Sequence, residues 1–98
     1  MRFGDIEIDE RMRTVRRSGV EVKLTFKEYE LLLALARRNG APASKQALMS
    51  EVWDTHVQLE SRTLDQHVFE LRRKLERPSR GPGYLITVRK YGYRLRHE

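Results

Sequence analysis

The chain has no cysteine among its 98 residues, which removes both a disulfide framework and a thiolate metal site. No apolar run approaches the roughly 20 residues of a membrane span. The start, Met1-Arg2-Phe3-Gly4-Asp5, lacks the apolar stretch of a signal peptide, so the cytoplasm is the expected setting. Histidine is scarce, with only His56, His67 and His97. His67 and Glu70 stand at i, i+3 but lack a third partner at any recognisable ligand spacing, and Asp65 with His67, two apart on a helix, cannot face one another. No glycine-rich phosphate loop occurs; the turn at 81–83 has neither the spacing nor the flanking elements. These absences speak against an enzyme, a metal site or a bound cofactor. There is also no internal repeat, low-complexity tract or interdomain linker. With 39% apolar residues, one domain over residues 1–98 with a single modest core is expected.

What is abundant is positive charge, and it is placed unevenly. Residues 61–98 hold ten Lys and Arg against four Asp and Glu, whereas residues 1–60 hold ten of each, so the net +6 falls entirely in the C-terminal part. A sequence pI near 10.1 points to a polyanionic partner, either nucleic acid or an anionic membrane surface. Because charges alternate with apolar residues, the basic region reads as folded surface and not as a disordered tail.

Residues 1–24 are strand-like and predict a small antiparallel sheet: Ile6 and Ile8 alternate with acids, Met12 leads to Val15, and Val20, Val22 and Leu24 repeat at period two after Ser18-Gly19. Thr25 with Glu28 forms a capping box, and Leu24 with Tyr29 a hydrophobic staple, so a first helix starts at Thr25. Its body from Leu31 to Ala36 is apolar nearly all round, which predicts the buried centre, and Asn39-Gly40 supplies its left-handed end. Ser44 caps a short second helix with Leu48/Val52 and Met49/Trp53 at i, i+4. Trp53 there reads as packing before it reads as a ligand platform. Residues 54–60 make a loop too long for a standard helix-turn-helix connection. Either Ser61 or Thr63 with Gln66 caps a third helix that Pro78 closes. After Gly81-Pro82-Gly83, two strands around Lys90-Tyr91-Gly92 form a hairpin over 84–96, with Gly92 supplying the positive φ of its corner.

At about 100° per residue, Leu64, Val68, Leu71 and Leu75 form one apolar stripe of the third helix. Arg62, Gln66, Arg73 and Arg77 fall opposite, with Phe69 and Glu70 on the shoulders. Such a two-sided helix can pack on its domain while amide and guanidinium groups reach base edges in a major groove. Gln66 suits adenine and Glu70 suits a cytosine amino group, while Thr63, His67, Lys74 and Arg72 flank the face where groove walls would lie. An amphipathic surface helix with solvated charges has the same periodicity. The hairpin shifts the balance, because Arg89 and Lys90 sit at its tip and Arg94 and Arg96 line one face, a form suited to a minor groove, although an exposed edge hairpin protected by charge has the same pattern.

Taken in order, Leu24-Thr25-x-x-Glu28-Tyr29-x-Leu31-Leu32, Leu48-x-x-x-Val52-Trp53, Ser61-Arg62-Thr63-Leu64-Asp65-x-His67-Val68-x-x-Leu71-Arg72-Arg73-Lys74-Leu75 and Thr87-Val88-Arg89-x-x-Gly92-Tyr93-Arg94 resemble the winged-helix effector domain of OmpR/PhoB-type response regulators. The resemblance spans nearly the whole chain. It implies an α+β winged helix-turn-helix: an N-terminal four-stranded sheet within residues 1–24, three helices within 25–77, and a wing at 84–96. It also implies sequence-specific duplex-DNA binding in transcription control, with helix 61–77 in the major groove and wing Arg89 in the minor groove. Arg62, Thr63, His67, Arg72 and Lys74 then fall at backbone-contact positions, and Trp53 and Tyr93 at phosphate-side aromatic positions. Gln66, Phe69, Glu70 and Arg73 fall where relatives vary with operator sequence. Thr87, Lys90 and Arg94 accompany Arg89 on the wing, although Lys90 replaces a glycine found in many relatives.

The implied partners are direct-repeat DNA half-sites, occupied by a dimer of domains that are monomers alone, and RNA polymerase, touched by loop 54–60 through Asp54, Val57, Gln58 and Glu60. A phosphoacceptor receiver domain and a sensor kinase are implied too. The receiver is missing from this sequence, whose sheet begins within a few residues of Met1, so an excised or standalone effector domain is expected. The alternative function is a winged helix that binds protein, since fold does not fix function. An RNA module ranks below it, because the A-form major groove is too narrow for a helix and no strand face carries stacking aromatics.

Overall fold

The computed structural model describes residues 1–53, 60–76 and 83–96. Four short strands open the chain: β1 (Arg2–Phe3), β2 (Ile6–Asp9), β3 (Thr14–Arg17) and β4 (Val20–Val22). They form an antiparallel meander in sequence order, with Ile8 opposite Val15 and Val15 opposite Val22. Phe3, Ile6, Ile8 and Val15 point into the core, as their alternation requires, whereas Val20 ends the pattern in solvent. The β3–β4 turn is the two residues Ser18 (φ 51°) and Gly19 (φ 82°). Two successive left-handed residues make a hairpin turn whose twist matches the strands. Asp5 fixes this turn, accepting from the Ser18 hydroxyl at 2.7 Å and, through its carbonyl, from the Ser18 N–H at 2.7 Å.

Helix α1 (Phe26–Ala36) starts where the capping box places it. The Thr25 hydroxyl accepts from the Glu28 N–H at 3.2 Å, and Glu28 Oε1 accepts from the Thr25 N–H at 2.9 Å. Leu31, Leu32, Leu33, Leu35 and Ala36 are buried, and the helix packs on α2, α3 and the last strand. Asn39 and Gly40 are left-handed at φ 50° and 93°, after the last helical residue, Ala36, and two further residues.

A strand absent from the sequence expectation follows, β5 (Ala43–Ser44), and then α2 (Lys45–Val52), with the Ser44 hydroxyl accepting from the Ala47 N–H. Helix α3 spans Ser61–Leu75. Its N-cap is Glu60 and not Ser61 or Thr63, and the Glu60 side chain makes no capping hydrogen bond; the first turn closes by the Thr63 N–H donating to the Glu60 carbonyl at 3.0 Å. It ends at extended Glu76, before Arg77 and Pro78, which lie outside the described residues, as do Gly81 and Pro82.

Strands β6 (Leu85–Val88) and β7 (Gly92–Leu95) form the expected hairpin, and β5 adds to β7, giving a sheet of order β5-β7-β6. The corner residue with positive φ is Lys90, at 63°, and not Gly92. Gly92 serves a different need: a Cβ there would run into the Ala43 carbonyl, so only glycine lets β5 approach β7. The two sheets meet at Tyr84, whose hydroxyl donates to Asp5 Oδ1 at 2.5 Å and whose ring meets Phe3 edge-on.

Candidate nucleic-acid interface

The sides of α3 are sorted sharply. Leu64, Val68, Leu71 and Leu75 are buried, and the exposed residues beyond the first helical position are Arg62, Gln66, Phe69 and Arg73. At about 100° per residue those four fall within an arc of about 60° centred opposite the buried stripe. Phe69 therefore sits on the crest of the outer face, not on its shoulder, and is 64% exposed. Glu70 is half-buried beside the crest, and its Oε1 accepts from Arg73 Nε at 3.0 Å and Nη2 at 2.6 Å.

The flanks of the helix are tied to the rest of the fold. Arg72 donates through Nε and Nη2 to the Leu85 carbonyl at 3.2 and 3.0 Å and through Nη2 to Thr87 Oγ1 at 2.8 Å, fixing the wing against α3. Asp65 accepts from the Tyr93 hydroxyl at 2.5 Å and lies 3.2 Å from the Lys45 ammonium, so one carboxylate joins α3, β7 and the start of α2. Burial first, and then the Asp65 carboxylate, push the Tyr93 phenol up to about 12. On the other side, His67 Nδ1 lies 2.7 Å from the Thr63 carbonyl, and its ring meets Trp53 at 4.9 Å between centroids. Trp53 caps the C-terminus of α2, where Lys27 also donates to the Val52 carbonyl.

Lys74 does not project beside the crest as a bare cation. Its ammonium donates to Glu28 Oε1 at 2.6 Å, and the Glu28 side chain is only 5% exposed. Burial raises the Glu28 carboxyl, but Lys74 and the Thr25 N–H and hydroxyl outweigh it, and the net pKa lies below the ordinary value. Arg17 of β3 donates to the Lys74 carbonyl at 3.2 Å, so the C-terminal end of α3 is held from two directions.

The wing presents Thr87, Arg89 and Lys90 outward at and near its tip, with Arg94 half-buried and Tyr93 buried. The structure thus brings Arg62, Gln66, Phe69 and Arg73 together on one crest and sets Arg89 and Lys90 on a rigidly attached hairpin. Thr63, His67, Trp53, Arg72, Lys74 and Tyr93 form the support around it. Of the residues assigned to loop 54–60, Glu60 is exposed, while Asp54, Val57 and Gln58 lie outside the described residues.

A family model described as the C-terminal part of transcriptional regulatory proteins matches residues 19–95. The chain belongs to this family. A similar curated relative is the transcriptional regulatory protein AfsQ1 of Streptomyces coelicolor, 41% identical over 95% of this chain and 41% of its own length. The chain spans about two fifths of the length of the curated relatives it matches. Among solved structures, the response regulator AdeR DNA-binding domain, in complex with an intercistronic region, aligns over 100% of both chains with a TM-score of 0.84 and 30% identity. The Thermotoga maritima OmpR/PhoB homologue DrrB aligns over 98% of this chain and 43% of its own, with a TM-score of 0.88 and 29% identity. The chain is thus a winged helix of the OmpR/PhoB response-regulator type, as its motifs suggested.

Sequence reasoning missed the inner half of the site. Glu28, Lys45 and Asp65 carry no local signal of these contacts, because their partners lie 46, 20 and 28 residues away in the chain. The capping box did mark Glu28, but as a helix start and not as the counterion of Lys74.

Proposed function

We propose that the chain is the effector domain of a two-component response regulator that binds duplex DNA to control transcription, with the α3 crest in the major groove and wing Arg89 in the adjacent minor groove. The observation that carries this is the crest itself: Arg62, Gln66, Phe69 and Arg73 outward, a continuous apolar stripe inward, and a cationic wing tip locked to the same helix by Arg72. The Gln66 amide and the Arg73 guanidinium on a groove-sized helix are suited to base edges, and Arg62 with the flanking cations to phosphates. The AdeR DNA-binding domain, whose fold this chain shares, was solved in complex with an intercistronic region, which supports the DNA-binding reading.

A receiver domain and a sensor kinase would sit upstream in a cytoplasmic phosphorelay. The isolated domain would be a monomer that pairs on direct-repeat half-sites, and residues 54–60, through Asp54, Val57, Gln58 and Glu60, would touch RNA polymerase. Salt dependence tests the DNA reading. Neutralising about five phosphates gives a log-log slope of affinity against salt near −4.5. A flat response, or binding to an acidic protein with no binding to duplex, would favour the protein-binding alternative. Replacing Arg89 with Ala should weaken A·T-rich flanks selectively; equal losses on G·C-rich flanks would remove the minor-groove assignment.

A further inference from the structure

An exposed phenylalanine at the centre of an otherwise polar crest is the feature of α3 that a general DNA-binding face does not require. Phe69 is not drawn into the core, which is filled by Leu64, Val68, Leu71 and Leu75 on the opposite side. Its neighbours on the crest are Gln66 one turn before it and Arg73 one turn after it. In the major groove thymine alone among the four bases presents a methyl group, and it is the one apolar target a phenyl ring can find there.

We propose that Phe69 is a specificity-determining residue that packs on a thymine C5 methyl, so that this chain selects a half-site with thymine under the centre of α3. This rests on the duplex-DNA reading above. Gln66 stands three residues earlier, about 4.5 Å along the helix axis, somewhat more than one base-pair step. Its amide suits adenine, so the two side chains together select an A·T-rich core with an adenine and a thymine one or two steps apart. The ion pair between Glu70 and Arg73 fits the same picture. With Arg73 bound twice to Glu70 Oε1, the crest carries less free guanidinium for guanine and less free carboxylate for cytosine.

The test replaces thymine with deoxyuridine, which removes only the methyl, at each position of a tandem half-site selected from a random duplex pool. Affinity is measured at one fixed salt concentration for the wild-type chain, Phe69→Ala and Phe69→Leu. At one thymine the wild type should lose about fourfold, the equivalent of one buried methyl. Phe69→Ala should be insensitive to the same change, and Phe69→Leu should keep part of the discrimination. Because Phe69 is exposed, thermal melting of the variants should match the wild type. Selected half-sites with no thymine under the helix, or equal deoxyuridine losses in wild type and Phe69→Ala, overturn the inference while leaving DNA binding standing. Absence of any duplex binding overturns the reading beneath it as well.

Discussion

Replacing Lys74 with Ala separates two roles that one lysine on a DNA-facing helix can hold. The resemblance puts Lys74 against phosphate, whereas in the structure its ammonium is bound to Glu28, whose side chain is 5% exposed. Removing one partner of a buried pair typically costs about 3 to 5 kcal/mol, because the other charge is left behind. Here the loss is smaller. Lys74 is 23% exposed and partly solvated, and the Thr25 N–H still donates to Glu28 Oε1 at 2.9 Å. A destabilisation of about 2 kcal/mol follows, and for a domain of this size that lowers Tm by roughly 10 °C.

The loss should also depend on pH. Glu28 in the wild type is held below its ordinary value of 4.5, so its contribution is full above that value and fades as pH falls through the folded pKa. Without the ammonium the carboxyl rises from its wild-type position, so the gap in Tm between wild type and Lys74→Ala should narrow in acid. Thermal melting from neutral pH to about pH 3, beside DNA titration of both proteins, reads both effects. A Tm unchanged within about 2 °C, with affinity falling equally on all sequences, would refute the strut and restore the phosphate contact.

Gly92→Ala should destabilise by about 2 to 3 kcal/mol, because its Cβ meets the Ala43 backbone; Gly19→Ala, whose Cβ meets nothing and whose cost is the left-handed φ alone, should lose about 1 kcal/mol, and denaturant melts rank the two. The Tyr93 phenol should titrate near 12 by ultraviolet absorbance, with Tyr93→Phe assigning the signal. Since its folded pKa is raised above the ordinary 10.0, the neutral phenol stabilises the fold below about pH 10 and that contribution is lost as pH rises through 12; Asp65→Asn should bring the titration down part of the way, burial holding the rest. Arg62→Ala should weaken all duplexes alike, whereas Gln66→Ala should relax preference at one base pair by about 1 to 3 kcal/mol; an unchanged selected motif in Gln66→Ala would mean a different docking of α3.

What could be read in the sequence was whatever is decided within one or two helical turns. Thr25 and Glu28 announce a helix start because the two hydrogen bonds of a capping box close within four residues, and Leu64, Val68, Leu71 and Leu75 announce a buried stripe by period alone. Ser61 misled for the same local reason. A serine before an apolar run suits an N-cap, but the helix begins one residue earlier and its N-cap is Glu60, whose side chain makes no capping hydrogen bond. Strand β5 could not be foreseen, since two residues acquire strand character only by pairing with Tyr93 and Gly92, nearly 50 positions on. Gly92 stands out in the sequence as a hairpin glycine, a type that often holds positive φ, but here Lys90 holds it and Gly92 makes room for a neighbouring backbone. The supports of the crest, Glu28 to Lys74 and Asp65 to Tyr93, are long-range ion pairs and hydrogen bonds that leave no periodic trace.

The major-groove placement of α3 is tested most directly by removing the acceptor it would use. Substituting 7-deaza purines one at a time through a bound half-site deletes purine N7 in the major groove and leaves the minor-groove edge and the phosphates intact. One substitution at the adenine facing Gln66 should lower affinity about fivefold or more, the loss of one arm of a bidentate contact. It should have no effect in Gln66→Ala or at flanking positions facing the wing. Tolerance of 7-deaza purines and of deoxyuridine at every position, with salt-dependent binding retained, would show that the crest of α3 does not read the major groove.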